Sequence, residues 1–158
     1  MKKQNFLMKL KKEKKLILVE KSKKISDAYK FKSINYLKSA KVLYKEKLYE
    51  NSIIDSYYSM YSITLSLFFF CGIKCENHTV ASLLLNRLYS MKDLSGLLTN
   101  ARKERINRQY YISDKELDQN VANNLLDIAE DFLLQIDNFI LNLDSGKITA
   151  FRNSFDDF

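Results

Sequence analysis

The sequence predicts an all-α protein, an antiparallel bundle of four to five helices, from three observations. The 158 residues include no proline and only three glycines, whereas a β-sandwich or barrel needs many more turn residues. Apolar residues recur at spacings of three and four over long stretches, which is typical of helices with one buried face. The length also suits one domain with a real core.

The net charge of +7 arises at the N-terminus. Residues 1–24 contain ten lysines and two glutamates, so they carry +8, while the remaining residues carry −1. We therefore expect a basic arm at 1–24, the helical bundle at 25–145 and a short C-terminal tail at 146–158. Apolar residues within the arm suggest an amphipathic helix followed by an extended segment. Its lysines either contact nucleic-acid phosphates or form a solvated surface.

The first long helix of the bundle is predicted to begin at Ser26, as N-cap, and to run to about Lys47. The second is expected over residues 51–71, and its side chains are apolar almost all round. Such a helix is the centre of a bundle or lies in an oligomer interface. Gly72 fits the C-terminal stop of this helix.

Polar residues mark the boundaries of the helices predicted in the rest of the chain. Asn77 or Thr79 can cap a shorter helix, and residues 90–96 suggest a loop. A helix over residues 97–111 should follow. Ser113, with Asp114 beside it and a glutamate three positions on, predicts a capping box at the start of the last long helix. Residues 144–146 are expected to end that helix, and the tail to Phe158 to dock only weakly.

Few side chains could carry chemistry. The chain has a single histidine, His78, which excludes a site built from several histidines. Cys71 and Cys75 have a spacing that differs from zinc and redox pairs, so we expect them to pack in the core. No glycine-rich phosphate loop occurs, and no cofactor or metal is expected. The most apolar window, residues 63–73, is too short to span a bilayer, so we expect a cytoplasmic protein with no membrane association.

One predicted helix is rich in arginine and tyrosine. Arg105 and Arg108 are three residues apart and share a helix face, with Arg102 one turn before them. Guanidinium groups bind phosphates in a bidentate manner, and Tyr110 and Tyr111 add ring faces for stacking. The combination suits RNA or a nucleotide. Pairing of these arginines with carboxylates of the bundle is an equally open alternative.

Several short motifs occur in an order that resembles the HEPN superfamily, in particular UPF0332-type proteins. The resemblance covers about residues 15–140. The motifs are Leu37-x-x-Ala40-x-x-Leu43, Tyr57-Tyr58-Ser59-Met60-Tyr61, Cys71-Gly72, Asn77-His78-Thr79 and Arg105-x4-Tyr110.

This resemblance implies a dimer in which the arginine motifs of two copies face a shared cleft. Many such proteins resemble ribonuclease toxins with an R-x4–6-H motif, others are non-catalytic, and many are encoded with a minimal nucleotidyltransferase partner. Here Arg105 matches the motif, but Tyr110 stands where the histidine is expected. A tyrosine is a poor general base at neutral pH because its pKa is near 10. His78, in the turn that matches the family's, is the remaining candidate base.

Three functions remain open. The first is a HEPN-like protein of a toxin–antitoxin or nucleotidyltransferase-associated system that binds RNA or a nucleotide through Arg105. The second is a non-catalytic homodimeric module that docks a minimal nucleotidyltransferase, and the third is a metal-independent endoribonuclease. Tyr57 and Tyr58 are expected to lie in the core or an interface, and Asp55 to pair with an arginine such as Arg105.

Overall fold

The computed structural model describes residues 2–112 and 114–156, which form seven α-helices and one pair of short strands. The predicted all-α bundle is confirmed. In chain order the elements are α1 (Lys2–Lys12), β1 (Leu16–Leu18), α2 (Lys23–Lys45), α3 (Tyr49–Cys71), β2 (Ile73–Cys75), α4 (His78–Tyr89), α5 (Lys92–Tyr110), α6 (Lys115–Leu141) and α7 (Ser145–Asp156).

Helix α3 is the centre of the bundle, as its apolar sequence predicted. Most of its side chains are buried, and α2, α5 and α6 all pack against it. It ends at Gly72, whose φ of 74° is the left-handed conformation that glycine adopts readily. None of the helices formed by the described residues has the length and apolar character needed to cross a membrane.

Buried serines line the contact between α2 and α3. Ser26 Oγ lies 3.0 Å from Ser66 Oγ, and Ser33 Oγ donates to the Ser59 carbonyl oxygen at 2.7 Å. Small side chains let the two helices approach closely, and their hydroxyls find partners within the core. The prediction that Ser26 caps α2 was wrong, because α2 begins one turn earlier. Its N-cap is Ser22, whose Oγ accepts from the Ile25 N–H at 3.2 Å.

The loop predicted at residues 90–96 is mostly helix. Ser90 adopts a left-handed conformation at the end of α4, and α5 begins two residues later. Leu94 and Leu98 are buried one turn apart, which anchors this first part of α5 in the core. The sequence suggested a loop because most residues around these two leucines are polar.

The basic N-terminal segment is part of the bundle. Strand β1 pairs antiparallel with β2, with Leu16 opposite Cys75 and Leu18 opposite Ile73. Leu7 of α1 is fully buried. The predicted order of a helix followed by an extended segment is confirmed, and apolar side chains on both sides of residue 24 share one core.

The C-terminal tail is a docked helix as far as Asp156. Arg152 of α7 donates from Nη1 to the carbonyl oxygens of Val19, Cys71 and Gly72, at 2.9, 3.0 and 2.7 Å. The bonds to Cys71 and Gly72 satisfy carbonyls at the C-terminal end of α3, and the bond to Val19 connects this end to the segment after β1. The weak docking expected of the tail is therefore corrected, while Phe158 lies outside the described residues.

The caps of α4 and α6 lie close to their predicted positions. Asn77 caps α4 and accepts from the N–H groups of Thr79 and Val80, both at 3.0 Å. Asp114 caps α6 and accepts from the Glu116 N–H at 2.8 Å. Ser113, the predicted cap, lies outside the described residues.

The two cysteines are free and buried, as expected of packing residues. Burial raises the pKa of each thiol to about 11, which keeps both protonated at neutral pH. These thiols are therefore not poised as nucleophiles.

We expect Gly72→Ala to destabilise the protein and Gly96→Ala to stabilise it. A Cβ at Gly72 would lie 2.6 Å from the Val19 carbonyl oxygen and would clash with Arg152, in addition to the cost of about 1–2 kcal/mol for a left-handed residue with a side chain. A Cβ at Gly96 meets no atom within 4 Å, and alanine should add about 0.5–1 kcal/mol in a helix interior. Urea denaturation of both variants measures the difference. Equal free energies of unfolding for the two variants would contradict the role of Gly72.

Candidate functional site

Arg105 of α5 lies over two tyrosine rings of α3. Its Cζ atom is 5.3 Å from the centroid of the Tyr57 ring and 5.7 Å from that of Tyr58. Its Nη1 donates to Gln109 Oε1 at 2.8 Å and to the Tyr58 hydroxyl at 3.5 Å. These partners are neutral, and no described carboxylate forms an ion pair with this guanidinium. Its positive charge is therefore not neutralised within the described part of the chain.

His78, the first residue of α4, meets the same tyrosines. Its Nδ1 lies 2.6 Å from the Tyr57 hydroxyl oxygen, and its ring stacks on Tyr61 with centroids 4.1 Å apart. Tyr57 thus contacts both His78 and Arg105. We call His78, Tyr57, Tyr58, Arg102 and Arg105 the arginine–histidine cluster.

The cluster favours a neutral imidazole. Burial lowers the pKa of His78, and the positive charges of Arg105 and Arg102 lower it further. Burial raises the pKa of Tyr57 well above its ordinary range, although the same two arginines oppose this shift. At neutral pH the hydrogen bond therefore joins an uncharged phenol and an uncharged imidazole. Either ring can donate, depending on the tautomer of the histidine.

Arg102 lies one helical turn before Arg105 and shares its lack of ionic partners among the described residues. Its Nε is buried without a hydrogen-bond partner, and so is that of Arg105. Arg102 also borders a cavity of about 340 Å³ beneath α1, beside Phe6 and Thr99. Both guanidinium groups thus have an Nε–H donor without a hydrogen-bond partner among the described residues.

Arg108 differs from these two arginines. It is buried, and its Nε donates to Asp118 Oδ1 at 2.9 Å while Nη1 pairs with Glu104. Removal of such a partner would leave a buried charge uncompensated. The carboxylate pairing that the sequence left open is thus found at Arg108, which connects α5 to α6 and whose charge is already paired within the protein.

The structure does not bring the motif tyrosines to Arg105. Tyr110 ends α5 and Tyr111 follows it, with 68% and 69% of their surfaces exposed. Gln109 contacts Arg105 instead. The tyrosines beside Arg105 come from the Tyr57–Tyr61 motif, in which residues 57, 58 and 61 lie on one side of α3.

Tyr57 is fully buried and Tyr58 is half-buried, so the prediction of core positions holds for Tyr57. The expected ion pair of Asp55 with Arg105 was wrong. Asp55 Oδ2 accepts from Ser39 Oγ at 2.6 Å, and burial raises its pKa. Within the described ranges, no group of three or more His, Cys, Asp or Glu side chains is arranged to hold a metal ion.

Comparison with protein families gives a match that spans the cluster. The family model of the HEPN domain matches residues 26–138, from the first turn of α2 to near the end of α6. The chain belongs to the HEPN family. The resemblance seen in the sequence motifs is confirmed at the level of the superfamily, and the UPF0332 subtype stays a prediction. Searches of the curated proteins and of the solved structures gave no match.

We expect the free energy of unfolding of this HEPN protein to fall as the pH drops below about 6.5, the ordinary pKa of histidine. Because the pKa of His78 is lowered in the folded state, the unfolded chain binds a proton first, and stability is lost over the interval between the two pKa values. NMR titration of the one imidazole in the chain should give a pKa below its ordinary value.

Comparison with His78→Gln isolates this contribution, because all carboxylates titrate in both proteins. If the wild type and His78→Gln lose stability in parallel below pH 6.5, the burial of a neutral imidazole in this cluster is contradicted.

Proposed function

We propose that this HEPN protein binds the phosphates of RNA, or of a nucleotide, through Arg105 with the assistance of Arg102. The observation that carries this proposal is the Arg105 guanidinium, which is held on two tyrosine rings and whose partners among the described residues are all neutral. A phosphate can replace the amide oxygen of Gln109 and accept two N–H bonds from the guanidinium. Such charge-assisted bonds are about twice as strong as neutral ones.

Family membership supports RNA as the ligand, since HEPN proteins are often RNA-related or nucleotidyltransferase-associated. HEPN domains commonly dimerise, and a second copy would contribute a second Arg105 to a shared cleft. The lysines of residues 1–24 would add non-specific attraction for a polyanion. We propose that the protein acts as a homodimer in the cytoplasm, within a toxin–antitoxin or nucleotidyltransferase-associated system.

Arg108 is omitted from the proposed binding residues because its charge is already paired. Tyr110 and Tyr111 are exposed, and we assign them at most contacts at the edge of the site. The proposed site therefore consists of Arg105 and Arg102, beside the half-buried His78 and Tyr58, with Tyr57 buried beneath the Arg105 guanidinium.

Replacing Arg105 by alanine should weaken binding of a labelled single-stranded RNA by about 10- to 100-fold, which corresponds to the loss of charge-assisted hydrogen bonds. It should also reduce the slope of log affinity against log salt by about one. Fluorescence anisotropy at several salt concentrations measures both quantities.

Lys92→Ala is the matched control, because it removes the same charge from the same helix roughly 20 Å away. Comparable losses of affinity in Arg105→Ala and Lys92→Ala would refute a specific phosphate site and leave only general electrostatic attraction.

A second candidate, metal-independent RNA cleavage, is favoured by the shared contact of His78 and Arg105 with Tyr57. In the tautomer whose Nδ1–H donates to the Tyr57 oxygen, His78 Nε2 can accept the proton of a ribose 2′-hydroxyl. That oxygen then attacks the adjacent phosphorus and forms a 2′,3′-cyclic phosphate. The 5′-oxygen leaves and takes up a proton, while Arg105 stabilises the developing negative charge.

For this candidate we expect the wild type to cleave RNA in the presence of EDTA to 2′,3′-cyclic phosphate ends. His78→Gln should reduce cleavage at least 100-fold, because general-base catalysis contributes about 10²–10⁴-fold. The rates are compared at saturating protein, so that weaker RNA binding by the variant does not account for the loss. Gel electrophoresis with mass spectrometry of the ends measures the products. Binding without cleavage by the wild type would reject the ribonuclease and leave the binding function.

A further inference from the structure

A cavity of about 270 Å³ opens beside the arginine–histidine cluster, between α2, α3 and the start of α4. Aromatic rings form much of its wall. Its principal lining residues are Tyr29, Lys32, Tyr36, Tyr58, Tyr61 and His78.

Four of these five rings form two stacked pairs, and the fifth, Tyr29, stacks on Phe69. Tyr36 and Tyr58 stack across α2 and α3 with centroids 5.4 Å apart, and Tyr61 stacks on His78 at 4.1 Å. All four rings are half-buried, so each keeps part of its surface open to the cavity. The fold therefore holds several aromatic groups in fixed positions around an open space.

The cavity and the proposed phosphate site share two walls. Tyr58 accepts a hydrogen bond from Arg105 and also lines the cavity. His78 contacts Tyr57 under the Arg105 guanidinium and lines the cavity as well. If the anionic group of a ligand binds Arg105, the adjacent part of that ligand would lie at the opening of this cavity.

We propose that this cavity binds one nucleobase of an RNA strand whose adjacent phosphate lies at Arg105. The proposal rests on the function proposed above and adds the subsite that recognises the base. Every nucleobase has a π-face that stacks on tyrosine or histidine, so binding of this kind tolerates different bases.

Polar groups at the same cavity suit the edge of a base. The exposed Lys32 ammonium lies 5.9 Å from the centroid of the Tyr36 ring, and the Glu76 carboxylate lines the cavity close to His78. Together they offer donors and acceptors beside the rings. The carboxylate also pairs with Lys74 at 2.6 Å, and both Lys32 and Glu76 are exposed, so a heterocycle with polar edges can hydrogen-bond to them where an apolar ligand cannot.

The test measures the affinity of the protein for each of two single-stranded RNA octamers. One octamer carries 2-aminopurine at a central position, and the other carries an abasic ribose there, so the two have the same phosphates. We expect the wild type to bind the base-containing octamer about 5- to 100-fold more tightly, the range that corresponds to stacking of one base. Fluorescence of 2-aminopurine should be quenched on binding as the base stacks.

Variants at Tyr36 identify the cavity as the place of stacking. Tyr36→Leu should reduce both the preference for the base and the quenching, whereas Tyr36→Phe, which keeps the ring, should retain them. Tyr44→Leu is the matched control, since Tyr44 is a half-buried tyrosine of the same helix that packs on Tyr49 and does not line the cavity. Circular dichroism checks that each variant is folded.

The outcomes distinguish the proposed base subsite from the proposed phosphate site. Equal binding of the two octamers by the wild type, with affinity lost in Arg105→Ala, overturns the base subsite and retains the phosphate site. No binding of either octamer overturns both. Quenching that survives in a folded Tyr36→Leu, or that is lost equally in Tyr44→Leu, overturns the assignment to this cavity.

Discussion

The close contact between α2 and α3 is the constraint on which the rest of the structure depends. Three pairs of small residues, each seven residues from the next along its helix, meet across the interface. They are Ser26 with Ser66, Ser33 with Ser59, and Ala40 with Ser52. A seven-residue spacing is two helical turns, so the six residues form one straight seam between antiparallel helices. Side chains this small permit a short interhelical distance, and the hydroxyls are satisfied by the facing helix, so the seam also fixes the register.

This register determines where the functional groups of α3 lie. Tyr57, Tyr58 and Tyr61 occupy the part of α3 around Ser59, in the middle of the seam, so their rings extend towards α2, α4 and α5. The end of α3 is held in turn by the β1–β2 pair and by Arg152 of α7. The N-terminal and C-terminal segments therefore stabilise the same helix that supports the cluster, although neither contains its aromatic residues.

Two arginines one turn apart on α5 have different partners. Arg108 has two carboxylate partners and no exposed charge, whereas Arg105 is held by an amide and two aromatic rings. Aromatic rings attract a guanidinium without cancelling its charge, so it stays available to an anion. The same uncompensated charge, together with burial, keeps His78 neutral by lowering its pKa. One electrostatic arrangement thus supports both a phosphate ligand and an uncharged imidazole beside it.

The sequence by itself determined the helical class, the stop of α3 at Gly72 and the HEPN resemblance, and it narrowed the cap of α4 to Asn77 or Thr79. These depend on periodicity, capping and local motifs, which act over one or two helical turns. Only the tertiary structure decided which residues meet: Ser26 with α3, Arg108 with Asp118 and Tyr57 with His78. The sequence suggested a loop at residues 90–96 because that segment is polar, and a weakly docked tail because the tail is short. Buried contacts with distant residues outweigh these local features. The residues that neighbour an arginine in the sequence are the same whether a carboxylate or a tyrosine ring packs against it. The contact partner of each arginine is therefore known only from the three-dimensional structure.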